Sequence, residues 1–124
     1  MAKRFSYRDL RIWQTVYRAT AAFPKHELYG LSSQMRRAAV SVSGNIAEGK
    51  GYGSNAEFGR FLFHARGSLL ELQTQIVIAQ GLEYLSQEQA MSLTQATDNL
   101  GRGLNGLIET VRKPSRGFGV RNSE

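Results

Sequence analysis

Residues 34–49, Gln-Met-Arg-Arg-Ala-Ala-Val-Ser-Val-Ser-Gly-Asn-Ile-Ala-Glu-Gly, constrain the fold more than any other stretch. Met35, Ala38, Ala39, Val42 and Ile46 recur at three- and four-residue steps, which sets them on one face of a helix. No charged residue occurs from 38 to 47. The opposite face carries Arg37, Ser41, Gly44 and Glu48, small in the middle and charged at its ends. A helix that is small or apolar on nearly every side has to be covered on nearly every side. A chain of 124 residues has little protein to spare for this, so a neighbouring subunit is expected as part of the cover.

Four helical segments follow from the periodicity. The first is expected over about residues 7–22, with Ser6 as N-cap and Leu10, Trp13, Val16, Tyr17 and Thr20 on its inner side. Pro24 ends it. The second is expected over about 31–48, before Gly49-Lys50-Gly51-Tyr52-Gly53. Val40-Ser41-Val42-Ser43 alternates like a strand, but its helical surroundings override it. Ser54 and Glu57 form a capping box for the third helix, which carries the heptad Phe58, Leu62, Ala65, Leu69, Leu72, Ile76, Ala79 and stops at Gly81. A second stripe, Phe63, Gly67, Leu70, Thr74 and Val77, lies on another face. Ser86 and Gln89 box the fourth helix, whose stripe is Leu93, Thr97, Leu100, Leu104, Leu107 and Val111. Short loops between long helices force antiparallel neighbours, giving an all-α, up-down-up-down four-helix bundle over 1–113. Residues 114–124 read as a flexible basic tail. The surplus stripes on the second and third helices imply a homo-oligomer, with Arg37, Ser41, Gly44, Glu48, Phe63, Gly67, Leu70 and Val77 at the subunit interface.

Charge narrows the function classes. Sixteen basic residues against ten acidic ones give a net charge of +6, and twelve of the sixteen are arginine. Arginine's planar fork suits phosphates and base edges. Arg4, Arg8 and Arg11 share one helical face, Lys3 and Arg18 extend the positive field, and Arg36, Arg37, Lys50, Arg60 and Arg66 follow. Such a set neutralises phosphates without reading sequence. These ten residues are the expected nucleic-acid contacts. Intersubunit salt bridges to the acidic fourth helix are the competing reading, and Arg37 belongs to both. With no cysteine, thiolate chemistry and disulfides are excluded. No apolar run approaches the ~20 residues of a membrane span, and the basic N-terminus lacks a following signal segment. A cytoplasmic bacterial protein is expected, with no membrane partner.

Several blocks resemble the four-helix-bundle family encoded in intervening sequences of bacterial 23S ribosomal RNA genes. They are Asp9-Leu10-Arg11-Ile12-Trp13-Gln14, Phe23-Pro24, Glu27-Leu28-Tyr29-Gly30-Leu31, Gln34-Met35-Arg36-Arg37-Ala38 and Asn45-Ile46-Ala47-Glu48-Gly49, then Glu57-Phe58, Arg60-Phe61-Leu62, Ala65 and the run from Gly67 to Gln75. More distantly, the chain is similar to the accessory protein of diversity-generating retroelements. These resemblances imply a ring or barrel of five subunits, and a reverse transcriptase as an alternative partner.

Motifs that suggest enzymes lack their structural context. Gly101-Arg-Gly103-Leu-Asn-Gly106 matches a dinucleotide fingerprint but falls inside a helical heptad, where close packing explains it better. The segment from Gly44 to Gly51 nearly makes a phosphate-binding loop, yet glycine stands where magnesium needs a hydroxyl. Arg116-Gly-Phe118-Gly-Val-Arg121 echoes an RNA-binding strand without the sheet that strand requires. No Glu precedes His26 or His64 by three residues, so the di-iron bundle pattern is missing. No catalytic residue, metal or cofactor is expected. A binding protein for RNA or DNA leads, ahead of a protein adaptor and of a structural oligomer.

Overall fold

The computed structural model describes residues 11–112. Among them are four α-helices and no strand: α1 Ile12–Thr20, α2 Leu31–Lys50, α3 Asn55–Gly81 and α4 Gln87–Arg112. A short 3-10 turn, Lys25–Glu27, joins α1 to α2. Ser6, the start of the first helix at residue 7, Leu10 and the tail from 114 lie outside the described residues.

Side-chain pairings between helices fix the topology. Gly49 near the end of α2 meets Phe58 and Phe61 near the start of α3, while Ser41, a little over two turns earlier, bonds Ser68, two turns later. Arg66 pairs with Asn105 and Gln73 with Asp98, so α4 descends as α3 rises. Arg36, early in α2, reaches Thr20 at the end of α1. Each helix is therefore antiparallel to the next, and α1 also packs on α4 to close the bundle. Met35, Ile46, Leu62, Leu72, Ile76, Leu93 and Leu104 fill the centre, fully buried. Each such side chain contributes about 1.5–3 kcal/mol by leaving water. Thr97 sits among them because its hydroxyl donates to Leu93 O at 3.0 Å and accepts from Gln73 Nε2 at 3.2 Å.

The helix ends show why the chain turns where it does. Ser54 Oγ accepts from Glu57 N at 3.2 Å, but the Glu57 carboxylate turns to Arg60 at 2.9 Å, so only half of that capping box forms. Ser86 and Gln89 make both bonds of theirs, at 3.1 and 2.9 Å. Helix α3 ends at Gly81, as expected, but the left-handed residue beyond it is Glu83, with φ 65°. Glu83 N bonds Gln80 O and Tyr84 N bonds Ala79 O, both at 2.9 Å, which is a Schellman closure.

Two readings need correction. Trp13 and Tyr17 are not core residues: of the expected stripe α1 buries Val16 and Thr20, joined by Ile12 and by Phe23 just beyond it. Along α4 the core passes from Leu104 to Ile108, leaving Leu107 and Val111 half-buried, because a 3.6-residue helix drifts away from a strict seven-residue repeat. The cover of α2 is partly internal. Arg36 binds α1 and Ser41 binds α3, so one chain already covers the core face and both flanks. The strip holding Gln34, Arg37, Val40, Gly44, Ala47 and Glu48 remains exposed, with Lys50 at its end.

The two near-motifs resolve as helix. Residues 44–50 complete α2, and Gly101, Gly103 and Gly106 lie within the unbroken α4. A Cβ on Gly101 would stand 3.4 Å from Leu69 Cδ2, in line with close packing of α4 on α3.

Candidate nucleic-acid interface

Helices α1 and α2 cross with an open groove between them. At one end it is lined by Arg11, Trp13, Gln14, Tyr17, Val40, Ser43, Gly44 and Ala47. Tyr17 and Val40 carry it on into a cleft of about 750 Å³ bounded by Leu28, Tyr29, Ser33, Arg36, Arg37 and Ser41. The floor is low because α2 offers only small side chains there, and nothing lies within 4 Å of where a Gly44 Cβ would be. The walls are aromatic. Trp13 meets Tyr17 edge-on with ring centroids 6.0 Å apart, and the Arg36 guanidinium lies 4.5 Å above the Tyr17 ring. Arg36 Nε donates to Thr20 Oγ1 at 2.8 Å, and that hydroxyl donates in turn to Val16 O, so the guanidinium is held in place.

Three arginines and no carboxylate line the two clefts. Among the described residues the only arginine paired with an acid is Arg60, bound to Glu57. Arg18 lies on the same face of α1 as Arg11, two turns on, and is exposed.

The ten expected contacts therefore separate into groups. Arg11, Arg36 and Arg37 share the groove, with Arg18 beside it. Lys50 stands at the C-terminal end of α2. Arg60 and Arg66 lie on α3, over the rings of Phe61 and Phe63, and Arg66 is bonded to Asn105. Lys3, Arg4 and Arg8 are outside the described residues.

The expected interface residues also divide. Phe63, Gly67, Leu70 and Val77 form an exposed ridge along α3, with Val77 68% exposed and Leu70 58%. Arg37 and Gly44 line the α1/α2 groove, and Glu48 is exposed beyond it. Ser41 is engaged within the chain: its hydroxyl lies 2.7 Å from Ser68 Oγ and accepts from Asn45 Nδ2 at 3.1 Å.

Sequence reasoning missed the groove's aromatic residues. Tyr29 is 91% exposed and has no ring or cation partner among the described residues. Trp13 and Tyr17 are 39% and 44% exposed. The signal was present: Ile12, Val16, Ala19 and Phe23 make an alternative stripe at helical steps, and it frees both rings. Glu27 was also missed. Its carboxylate accepts from Leu31 N at 3.0 Å, capping α2, and from the Tyr84 hydroxyl at 2.8 Å. The Leu31 amide and then Tyr84 hold the Glu27 carboxyl below the usual carboxylate range, and the bond to Glu27, with burial and the nearby negative charge, pushes the Tyr84 phenol up. His26 Nε2 lies 3.3 Å from the same hydroxyl.

Among the described residues no three His, Asp or Glu side chains cluster as a metal site, and no helix is long and apolar enough to cross a membrane. The fold and this surface define a small four-helix bundle with an arginine-bearing, aromatic-walled groove. Its family follows from comparison with known proteins: the profile of the 23S rRNA-intervening sequence proteins matches residues 8–106, and the chain belongs to that family. A crystal structure of a protein of unknown function from the S23 ribosomal protein family of Bacteroides thetaiotaomicron has the same fold. It aligns with a TM-score of 0.74 at 21% identity, over 82% of this chain and 92% of its own. No curated protein matches the chain.

Proposed function

We propose that the protein is a self-associating binding module that holds RNA or DNA by charge and performs no chemistry on it. The observation that carries this reading is the grouping of Arg11, Arg36 and Arg37 on one groove with no carboxylate among its lining residues. Arginines without acidic partners keep their full attraction for phosphate. The α3 ridge supports self-association, because exposed aliphatic surface of this kind marks contact with protein. The family's ring of five is the assembly this reading adopts.

The test is a titration of labelled RNA across a range of salt. Affinity falls log-linearly, with a slope of about −0.7 per phosphate neutralised on a single strand or −0.9 on B-DNA. Arg18→Gln and Arg37→Gln each lower the slope by about one if the residue contacts a phosphate. Salt-independent binding refutes the phosphate model, and salt-resistant capture of a protein such as a reverse transcriptase favours the adaptor reading.

A further inference from the structure

The α1/α2 groove combines two features that a charged surface alone does not need. Phosphate attraction requires only the arginines, yet the rings of Trp13, Tyr17 and Tyr29 line the same path. Tyr29 is the extreme case, with nearly its whole surface in water and no partner ring or cation among the described residues. A duplex backbone gains nothing from such rings, because its bases already stack on one another. An unpaired strand does gain, since every base has a face that stacks on an aromatic ring. Ser33 and Gln14 add hydrogen-bonding groups to the lining.

We infer that the α1/α2 groove is a path for single-stranded nucleic acid, with bases stacked on Trp13 and Tyr29 and phosphates on Arg11, Arg36 and Arg37. Tyr17 is braced between Trp13 and Arg36. This rests on the nucleic-acid reading above and adds the strandedness of the ligand and the stacking residues. From Ser33 to Ala47 the floor of α2 runs about 21 Å at 1.5 Å per residue. That spans roughly six stacked nucleotides at 3.4 Å each. Charge complementarity favours this occupant over a second copy of the chain, which would have to bring carboxylates to three arginines. The α3 ridge is the drier surface: Leu70, Val77, Ile78 and Leu82 are exposed there, and Phe63 carries its own arginine, Arg66, over the ring.

The experiment compares a short oligouridylate with an RNA duplex of equal length at low salt, using the full chain. Trp13 is the only tryptophan, so its emission reports on the groove directly. The single strand is expected to quench Trp13 and to bind more tightly than the duplex. Tyr29→Ala is expected to weaken single-strand binding by ~5- to ~150-fold, the range for loss of one stacked base. It should leave duplex binding, helicity and oligomer mass unchanged. Tyr52→Ala removes an aromatic residue outside the groove, stacked on Phe61, and is expected to leave single-strand affinity as it was. If the duplex binds as well as the single strand and Tyr29→Ala alters neither, the groove assignment falls while the general charge reading stands. If neither probe binds at low salt, both fall. A drop in oligomer mass for Tyr29→Ala gives the groove to a second copy and overturns the inference.

Discussion

Two glycines five residues apart on α2 should respond oppositely to the same substitution. A Cβ on Gly49 would lie 2.8 Å from Phe61 Cβ and 3.0 Å from Phe58 Cδ1. Carbon atoms in good contact stand about 3.5–4.0 Å apart, so the overlap with Phe61 is close to 1 Å. Phe61 Cβ is bonded to the α3 backbone, and no rotamer change moves it away. The helices must shift, and overpacking of this kind destabilises by about 1–3 kcal/mol. The propensity gain from Gly to Ala, about 1 kcal/mol in a helix interior, is reduced at Gly49 because α2 ends at Lys50. Gly49→Ala is therefore expected to lose about 1–2 kcal/mol. Gly44 is exposed in mid-helix with nothing within 4 Å of its Cβ position, so Gly44→Ala should gain about 1 kcal/mol. Urea unfolding followed by far-UV circular dichroism measures the difference, about 2–3 kcal/mol between the two variants. Protein concentration must be fixed, because assembly adds to apparent stability by mass action. An unchanged m-value ties each shift in midpoint to stability. If Gly49→Ala proves as stable as Gly44→Ala, the close approach of α2 to α3 at this point is refuted.

Other perturbations test other parts of the structure. Glu83→Gly relieves a left-handed, exposed residue; the relief of about 1–2 kcal/mol exceeds the entropic cost of glycine, about 0.5–1 kcal/mol, so the urea midpoint should rise slightly. Glu27 has its folded pKa depressed, so its contribution is fully present above the unfolded carboxylate value, 4.5, and is lost as pH falls through the lower folded value. Glu27→Gln should therefore flatten the acid limb of the stability–pH curve, and an unchanged limb would remove Glu27 as its source. Tyr84 is the mirror case: the bond to Glu27 raises its pKa, so that contribution is fully present below the unfolded phenol value and is lost as pH climbs through the folded one, a loss Tyr84→Phe should abolish. Leu70→Ser with Val77→Ser leaves the core untouched, because both residues are exposed. Light scattering should show a lower mass with helicity retained, and an unchanged mass would place the subunit contact elsewhere.

Most of the fold was legible because its signals are local. Ser54, Ser86 and Gln89 cap the helices they were expected to cap, and the α3 heptad is buried from Leu62 to Ala79. What escaped depends on how a helix is rotated against its neighbours. On α1, two stripes one residue out of phase were both admissible: Trp13 with Tyr17, or Ile12 with Phe23. Ring size favoured the first, and packing against α2 and α4 selected the second. The groove could not be read from sequence for the same reason. Its basic residues were visible singly, but gathering Arg11 with Arg37, residues 26 positions apart, needs the antiparallel register of α1 on α2.

The uncharged middle of α2 then takes on a different meaning. Its smallness was expected to serve a neighbouring subunit pressed against a fourth side. In the structure Ala38 and Ala39 let α2 sit deep in the bundle, while Ser41, bonded to Ser68, closes the seam to α3. Gly44 and Ala47 on the outer strip do neither. They keep the floor of a groove low between Trp13, Tyr17 and the arginines. A Cβ at Gly44 meets nothing within 4 Å and opens onto the groove, so Gly44→Trp should fold and should fill that floor. If the groove takes a nucleic-acid strand, the variant keeps its mass and loses single-strand affinity. If the strip is a subunit seam, the mass falls instead. Ser41 cannot make this distinction, because enlarging it breaks the bond to Ser68 and strains the bundle itself. Gly44 is the position at which the two uses of this helix separate cleanly.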